Sequence, residues 1–125
     1  MLKYISIDGD DIGRMITSLY LSNNEKQLRH LSASLKESTL KVADFLSNMG
    51  FDIIFCAADG VVASTKKEQD YQEIFKEISF LSPDNITYSA GVGDSLKEAY
   101  IALLSAKSNG KKCLHNHSSM TKKDV

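Results

Sequence analysis

The chain has no tryptophan, one proline (Pro83) and two cysteines, Cys56 and Cys113, in 125 residues. The cysteines stand far apart without a Cys-x-x-Cys partner, which argues against a zinc knuckle or a disulfide scaffold and makes a reducing cytoplasm the expected compartment. An excess of one charge is missing too: 15 Lys and Arg meet 16 Asp and Glu, for a net charge of −1. That balance offers no electrostatic ground for coating nucleic acid or a membrane surface. No apolar run nears the roughly 20 residues that span a bilayer, and Met1-Leu2-Lys3-Tyr4 is not expected to open a signal peptide. Internal repeats, low-complexity tracts and linkers are absent. With 42% apolar and 25% charged residues, the expectation is one small, soluble, cytosolic α/β domain.

What is present falls into alternating elements. Leu2 to Ile7, with Tyr4, Ile5 and Ile7, has strand character and runs into the acidic turn Asp8-Gly9-Asp10-Asp11. Ile12, Met15, Ile16 and Leu19 then recur at helical spacing, and Asn23-Asn24 breaks that helix. Leu28, Leu31, Leu35, Val42, Phe45, Leu46 and Met49 stripe a longer helix that Gly50 caps, a pattern read as core packing. Asp52 to Cys56 and Gly60 to Ser64 form a hairpin through Ala57-Ala58-Asp59-Gly60. Tyr71, Ile74, Phe75, Ile78 and Leu81 predict a further helix, and Ser82-Pro83-Asp84-Asn85 a turn.

Ile86 to Val92 reads as a fourth strand. The last helix, from Asp94-Ser95 to Asn109-Gly110, has a narrow face of Ala99, Ala102, Leu103 and Ala106. Lys111 to Leu114 is expected as a short edge strand, and everything from His115 onward as a loose polar tail. The order β-α-α-β-β-α-β-α contains the β-α-β-β-α-β core of the ferredoxin-like split βαβ fold. The expected class is therefore α/β (α+β), a mostly antiparallel central sheet with helices packed on it, over residues 1–114, with the tail at 115–125.

In this fold Asp8, at the end of the first strand, and Asp59, at the hairpin tip, meet at one edge of the sheet. Two facing carboxylates repel unless one holds a proton or a cation lies between them. Hard oxygen donors suit Mg²⁺ or Mn²⁺, with substrate phosphates completing the shell. Taken singly, each segment has a plainer explanation. Asp8 to Asp11 makes a turn and a helix start where acids suit the dipole, and Asp59-Gly60 makes an ordinary hairpin. Only their joint placement favours the metal. His115-Asn116-His117 reads as a solvated chain end rather than a metal pair, and Cys56 and Cys113 read as buried strand residues.

A third segment adds a likeness. Tyr88-Ser89-Ala90-Gly91-Val92-Gly93, Glu98-Ala99-Tyr100 and Ala106-Lys107-Ser108-Asn109-Gly110-Lys111 resemble the nucleotidyl-cyclase palm superfamily. That superfamily holds the GGDEF diguanylate cyclases, the class III adenylyl cyclases and the type III CRISPR polymerase palm. Ser-x-Gly-hydrophobic and Ala-Lys-x-x-Gly-Arg/Lys are the matching signatures, and Ile5-Ser6-Ile7-Asp8-Gly9-Asp10-Asp11 resembles the family's first metal-binding strand end. The likeness covers nearly the whole chain in order, and the chain most resembles the stand-alone minimal CRISPR polymerase branch.

The resemblance implies a palm in which Asp8, through its side chain, and Gly9, through its carbonyl, bind metal. Asp59 would be the second carboxylate, and Asp8 and Asp59 together the catalytic pair. It also implies Lys107 and Lys111 on the triphosphate, with Asp11 beside them. By themselves the lysines read as cations at a helix C-terminus. Implied further are Mg²⁺ or Mn²⁺, a two-metal site staying open, and a homodimer that joins nucleoside triphosphates into a cyclic di- or oligonucleotide. An anti-phage setting with a separate cyclic-nucleotide-sensing effector is part of the same implication, without membrane or direct nucleic-acid binding. The guanine-reading residues of diguanylate cyclases have no counterpart between Asp11 and Leu31, so ATP is the expected substrate.

The hairpin departs from the family. Gly-Gly-Asp-Glu or Gly-Gly-Asp-Asp becomes Ala57-Ala58-Asp59-Gly60, and a one-residue shift sets Asp59 on either acidic position. A mononucleotide cyclase, or a palm that binds nucleotide or a partner without turnover, are the alternatives.

Overall fold

The protein is described by a computed structural model over residues 1–123. Its elements are β1 (Lys3–Gly9), α1 (Ile12–Leu21), α2 (Glu25–Asn48), β2 (Asp52–Ala57) and β3 (Gly60–Thr65). They continue with α3 (Tyr71–Ser79), β4 (Tyr88–Gly93), α4 (Leu96–Ser108), β5 (Leu114–Asn116) and α5 (His117–Lys123). One five-stranded sheet has the order β2-β3-β1-β4-β5. β1 runs antiparallel to both β3 and β4, and β5 pairs with β4 in parallel. The expected split βαβ arrangement is present, widened by β5.

Alternation along the strands sorts residues between two faces. Ile5 and Ile7 of β1, Val61 and Ala63 of β3, and Ala90 and Val92 of β4 face Val42 and Leu46 of α2 and Ile74, Phe75 and Ile78 of α3. All are buried, and together they form the main core. Three helices start on polar caps. The side chains of Asn24, Asp70 and Ser95 accept from the backbone N–H of Gln27, Glu73 and Glu98, satisfying donors that have no partner within the helix.

α4 packs on the other face, and here glycine is required. A Cβ on Gly91 would stand 2.2 Å from the Ala99 carbonyl oxygen and 2.2 Å from the Leu103 nitrogen. The small face of α4 expected from the sequence lies against this flat stretch of β4, with Ala99, Ala102 and Ala106 fully buried.

Several boundaries differ from the sequence reading. Asp8 and Gly9 belong to β1, because they pair with Gly60, Ser89 and Tyr88. Lys111 to Leu114 is not the last strand: Lys111 and Lys112 have φ of 61° and 51°, which no strand accommodates, so β5 begins at Leu114. His115 and Asn116 lie in that strand and His117–Lys123 is helical, so the expected loose tail is ordered to Lys123; residues 124–125 lie outside the described residues. Cys113 precedes β5 and is half-buried, as is Cys56 in β2. Met49, placed on the buried stripe of α2, is its exposed C-cap. No helix among the described residues is long and apolar enough to cross a membrane.

Candidate active site

The site grows from the end of β1. Strand alternation puts Asp8 on the α4 face, between Gly60 of β3 and Ser89 of β4. A Cβ on Gly60 would lie 3.3 Å from Asp8 Oδ1, so the carboxylate leans over bare backbone on its β3 side. Asp59 sits in the turn between β2 and β3, where Ala58 takes a φ of 52°. Two hydrogen bonds hold that turn: Gly9 N–H donates to the Asp59 carbonyl at 3.1 Å, and Thr39 Oγ1 of α2 donates to the Ala58 carbonyl at 3.0 Å. Ala57 and Ala58 thus form the turn, which closes against β1.

The two carboxylates meet as the topology requires. Burial and the neighbouring charge of Asp8 push the Asp59 carboxyl above the ordinary carboxylate range, partly offset by Lys107. From the ordinary value, ~3.9, up through the raised one, the folded protein holds this proton more tightly than the unfolded chain does. Stability contributed by Asp59 therefore falls as pH rises through that window. Asp59→Asn cannot ionise, so its melting temperature relative to wild type should climb from about pH 4 to pH 7. Parallel melting curves across that range would show that neither burial nor Asp8 raises the Asp59 carboxyl.

Lys107, in the last turn of α4, places its ammonium 2.8 Å from Asp8 Oδ2 and 2.8 Å from the Gly9 carbonyl oxygen. It reaches Asp10 Oδ1 at 3.7 Å. Asp10 is the residue that the sequence reading left within the acidic turn. It is 3% exposed and fully partnered. Thr87 Oγ1 donates to it at 2.6 Å, Ser89 Oγ at 2.7 Å, and the Lys112 backbone N–H at 3.2 Å. Asp10 thus ties the turn after α4 to β1 and β4. Ser89, the serine of the Ser-x-Gly segment, was the only sequence signal for this strut.

Lys111 ion-pairs with Asp11, which also accepts from Arg14 at 2.7 Å. Hydrogen bonds from Lys111 and Arg14 hold the Asp11 carboxyl below its ordinary range. The structure therefore brings Asp8, Gly9, Asp59 and Lys107 together and sets Lys111 with Asp11 at the start of α1.

Among the described residues no group of three or more His, Cys, Asp and Glu side chains converges. The available donors are two carboxylates and a main-chain carbonyl, all hard oxygens. Lys107 already sets a positive charge against Asp8 and the Gly9 carbonyl, so these oxygens fit a small divalent cation that completes its shell with phosphate oxygens. Beside them a groove of about 670 Å³ runs between α1, α2 and the hairpin. Ile12, Ile16, Leu31 and Leu35 line its walls, Ser32 and Thr39 are polar points in it, and Asp59 lies at its margin.

The sheet of order β2-β3-β1-β4-β5, with an acid at the end of β1 and another at the β2-β3 turn, has the palm fold of GGDEF domains. A family model described as the minimal CRISPR polymerase domain matches residues 4–116, and the chain belongs to that family. It is similar in fold to the active GGEEF domain of a diguanylate cyclase from Vibrio cholerae, with a TM-score of 0.65 and 15% identity over 93% of this chain and 82% of that one. The GGDEF domain of DgcB from Caulobacter crescentus, solved in complex with c-di-GMP, is similar at a TM-score of 0.66 and 11% identity over 94% and 78%. No curated protein matches the sequence.

Proposed function

We propose that this palm joins nucleoside triphosphates, ATP foremost, into a cyclic di- or oligonucleotide with release of pyrophosphate, in a reaction dependent on Mg²⁺ or Mn²⁺. The observation that carries this reading is the position shared by Asp8 and the Gly9 carbonyl, already facing the Lys107 ammonium and set beside the carboxyl of Asp59. In this reading Asp8, Asp59 and the Gly9 carbonyl hold the metal. When bound, it supplies charge neutralisation at the donor α-phosphate and at the attacking ribose hydroxyl.

The chain's own residues do the positioning on which phosphoryl transfer depends. Lys107 and Lys111 take the β- and γ-phosphates, and Asp11 sets the Lys111 ammonium at the start of α1. The groove along Ile12, Ile16, Leu31 and Leu35 takes the donor base. Its apolar walls suit the faces of a purine, and the absence of recognisable guanine-reading residues between Asp11 and Leu31 is the ground for ATP. Closing a ring takes two transfers and each chain holds one carboxylate pair, so a homodimer supplies the second pair. Family membership supports a cytoplasmic, anti-phage role in which a separate effector senses the product.

Incubation of the pure protein with ATP and Mn²⁺, read by mass spectrometry, tests this. A linked dinucleotide is expected. Cyclic AMP would make the protein a mononucleotide cyclase, and a ligand-induced melting shift without product would make it a nucleotide-binding palm without turnover.

Lys107→Ala and Lys111→Ala test the phosphate assignment. A charge-assisted contact contributes ~1.5–3 kcal/mol, so each variant should raise the KM for ATP by roughly ten- to a hundred-fold at low salt. Adenosine affinity should hardly move. ATP binding like wild type in both variants would return the lysines to plain helix-end cations.

A further inference from the structure

α4 covers only half of its face of the sheet. The pairing register lays rows across that face: Gly91–Ser6–Val62–Phe55, and beside it Ser89–Asp8–Gly60–Ala57. Gly91 lies under α4. Exposure rises along its row, from Ser6 at 8% through half-buried Val62 to Phe55 at 56%.

Phe55 is on this face because of a bulge. The β2-β3 register shifts between Ile53 and Phe55: Ile53 pairs with Ala63 on the core face, whereas Phe55 pairs with Val62 on the open one. Regular alternation would put both residues on one side, so the irregularity turns an aromatic ring out of the core. Bulges near active sites commonly re-aim a side chain in this way.

Between Phe55 and Asp8 the floor is low. Gly60 and Ala57 carry at most a methyl group, and Asp8 leans toward Gly60. Phe55 is two strands across and one same-face step along from Asp8, or about 12 Å from strand spacing and rise. A nucleoside bridges that span when its base lies on the ring and its ribose points to the donor phosphorus.

In-line displacement sets the direction. Attacking and leaving oxygens lie on opposite sides of the phosphorus. With pyrophosphate leaving toward Lys107 and Lys111, beside α4, the hydroxyl must approach from the β3-β2 side, over Gly60 and Ala57. We propose that Phe55 is the platform of the acceptor subsite. It stacks the purine base of a nucleotide whose free ribose hydroxyl lies beside Asp8. This rests on the nucleotidyl-transfer reading above. In the step, the hydroxyl oxygen bonds to the donor α-phosphorus while the bond from that phosphorus to the bridging oxygen breaks. Pyrophosphate leaves with the electron pair, and the hydroxyl proton passes to water at the open face. Base–aromatic stacking tolerates any base, so this subsite discriminates less than the donor groove.

The chain has no tryptophan, so Phe55→Trp adds a single reporter. The protein is first loaded with Mn²⁺ and α,β-methylene-ATP, a donor that cannot transfer, and AMP is then titrated in. Saturable quenching at an unchanged sedimentation coefficient is the expected result. Phe55→Ala and Phe55→Leu should each weaken AMP binding by roughly 5- to 100-fold, leaving affinity for the donor analogue unchanged. The leucine keeps apolar area and lacks a π-face, so wild-type AMP affinity in Phe55→Leu overturns the platform. Emission that ignores AMP but shifts in step with dimer formation in sedimentation overturns it in favour of a second copy covering Phe55. If Phe55→Ala makes product normally and Phe55→Trp shows no quenching, the transfer reading stands and the subsite falls. If quenching occurs and wild type makes no linked product, the subsite stands as a nucleotide site and the transfer reading falls.

Discussion

Asp8→Asn and Asp59→Asn are each expected to lower turnover by at least ~100-fold with the fold intact, the ordinary scale for loss of an anionic metal ligand. Neither side chain belongs to the apolar core. Asp8 stands at the margin of the sheet with Lys107 on one oxygen and the bare Gly60 backbone beside the other. Asp59 projects from a turn whose main-chain carbonyls, at Ala58 and Asp59, accept hydrogen bonds from Thr39 and Gly9. The two variants should part company in stability. Asp59→Asn removes a charge that burial and Asp8 disfavour, and its melting temperature at pH 7 should equal or exceed that of wild type. Asp8→Asn strips Lys107 of its closest carboxylate and should melt lower. Product formation with ATP and saturating Mg²⁺, together with thermal melts, measures both effects. Wild-type rates in Asp59→Asn would remove the hairpin from the catalytic assignment.

Gly91→Ala should have the largest effect on stability of any single methyl addition to the sheet. The new Cβ would meet three backbone atoms of α4: the Ala99 carbonyl oxygen, the Leu103 nitrogen and, at 2.7 Å, the Ala102 carbonyl carbon. A flexible side chain could move aside, but a helix backbone moves only as a unit. Overpacking costs of ~1–3 kcal/mol arise where side chains can adjust, so this site should lie at or above that range. A fall in Tm of about 10 °C or more follows for a domain of this size. Lifting α4 also draws Lys107 away from Asp8 and the Gly9 carbonyl, so ATP binding should weaken with stability. Gly13→Ala is the control. Nothing lies within 4 Å of its added Cβ, and in the first turn of α1 alanine should be neutral or slightly stabilising relative to glycine. A Tm for Gly91→Ala within a degree or two of wild type would mean that α4 does not lie on β4 as closely as described.

The elements and their order were legible in the sequence because each is set locally. Alternating Ile5 and Ile7 make a strand wherever they are buried, and the long stripe from Leu28 to Leu46 makes one helix. Ser95 and Asn24 cap helices by bonds within a single turn. The alanine face of α4 announced a close approach, and the glycines of β4 supplied its counterpart. The meeting of Asp8 with Asp59 was also legible, since the split βαβ order makes β1 and β3 neighbours.

What depended on partners distant in the chain was not. β5 starts at Leu114 rather than Lys111 because its backbone bonds belong to Ala90–Val92 of β4 and the turn before it needs two residues at positive φ. Asp10 looked like one more acid of a solvated turn. It is buried because Thr87, Ser89 and the Lys112 N–H, all at least 77 positions away, supply the donors that a buried carboxylate needs. Lys107 and Lys111 share a helix-end motif, yet one lies on Asp8 and the other on Asp11, a division set by where α4 crosses β1. The open half of the sheet likewise has no local signature. In sequence Phe55 is one residue of the strand Asp52 to Cys56 with no face assigned, and the bulge in its pairing with β3, on the side that α4 leaves bare, turns its ring toward solvent.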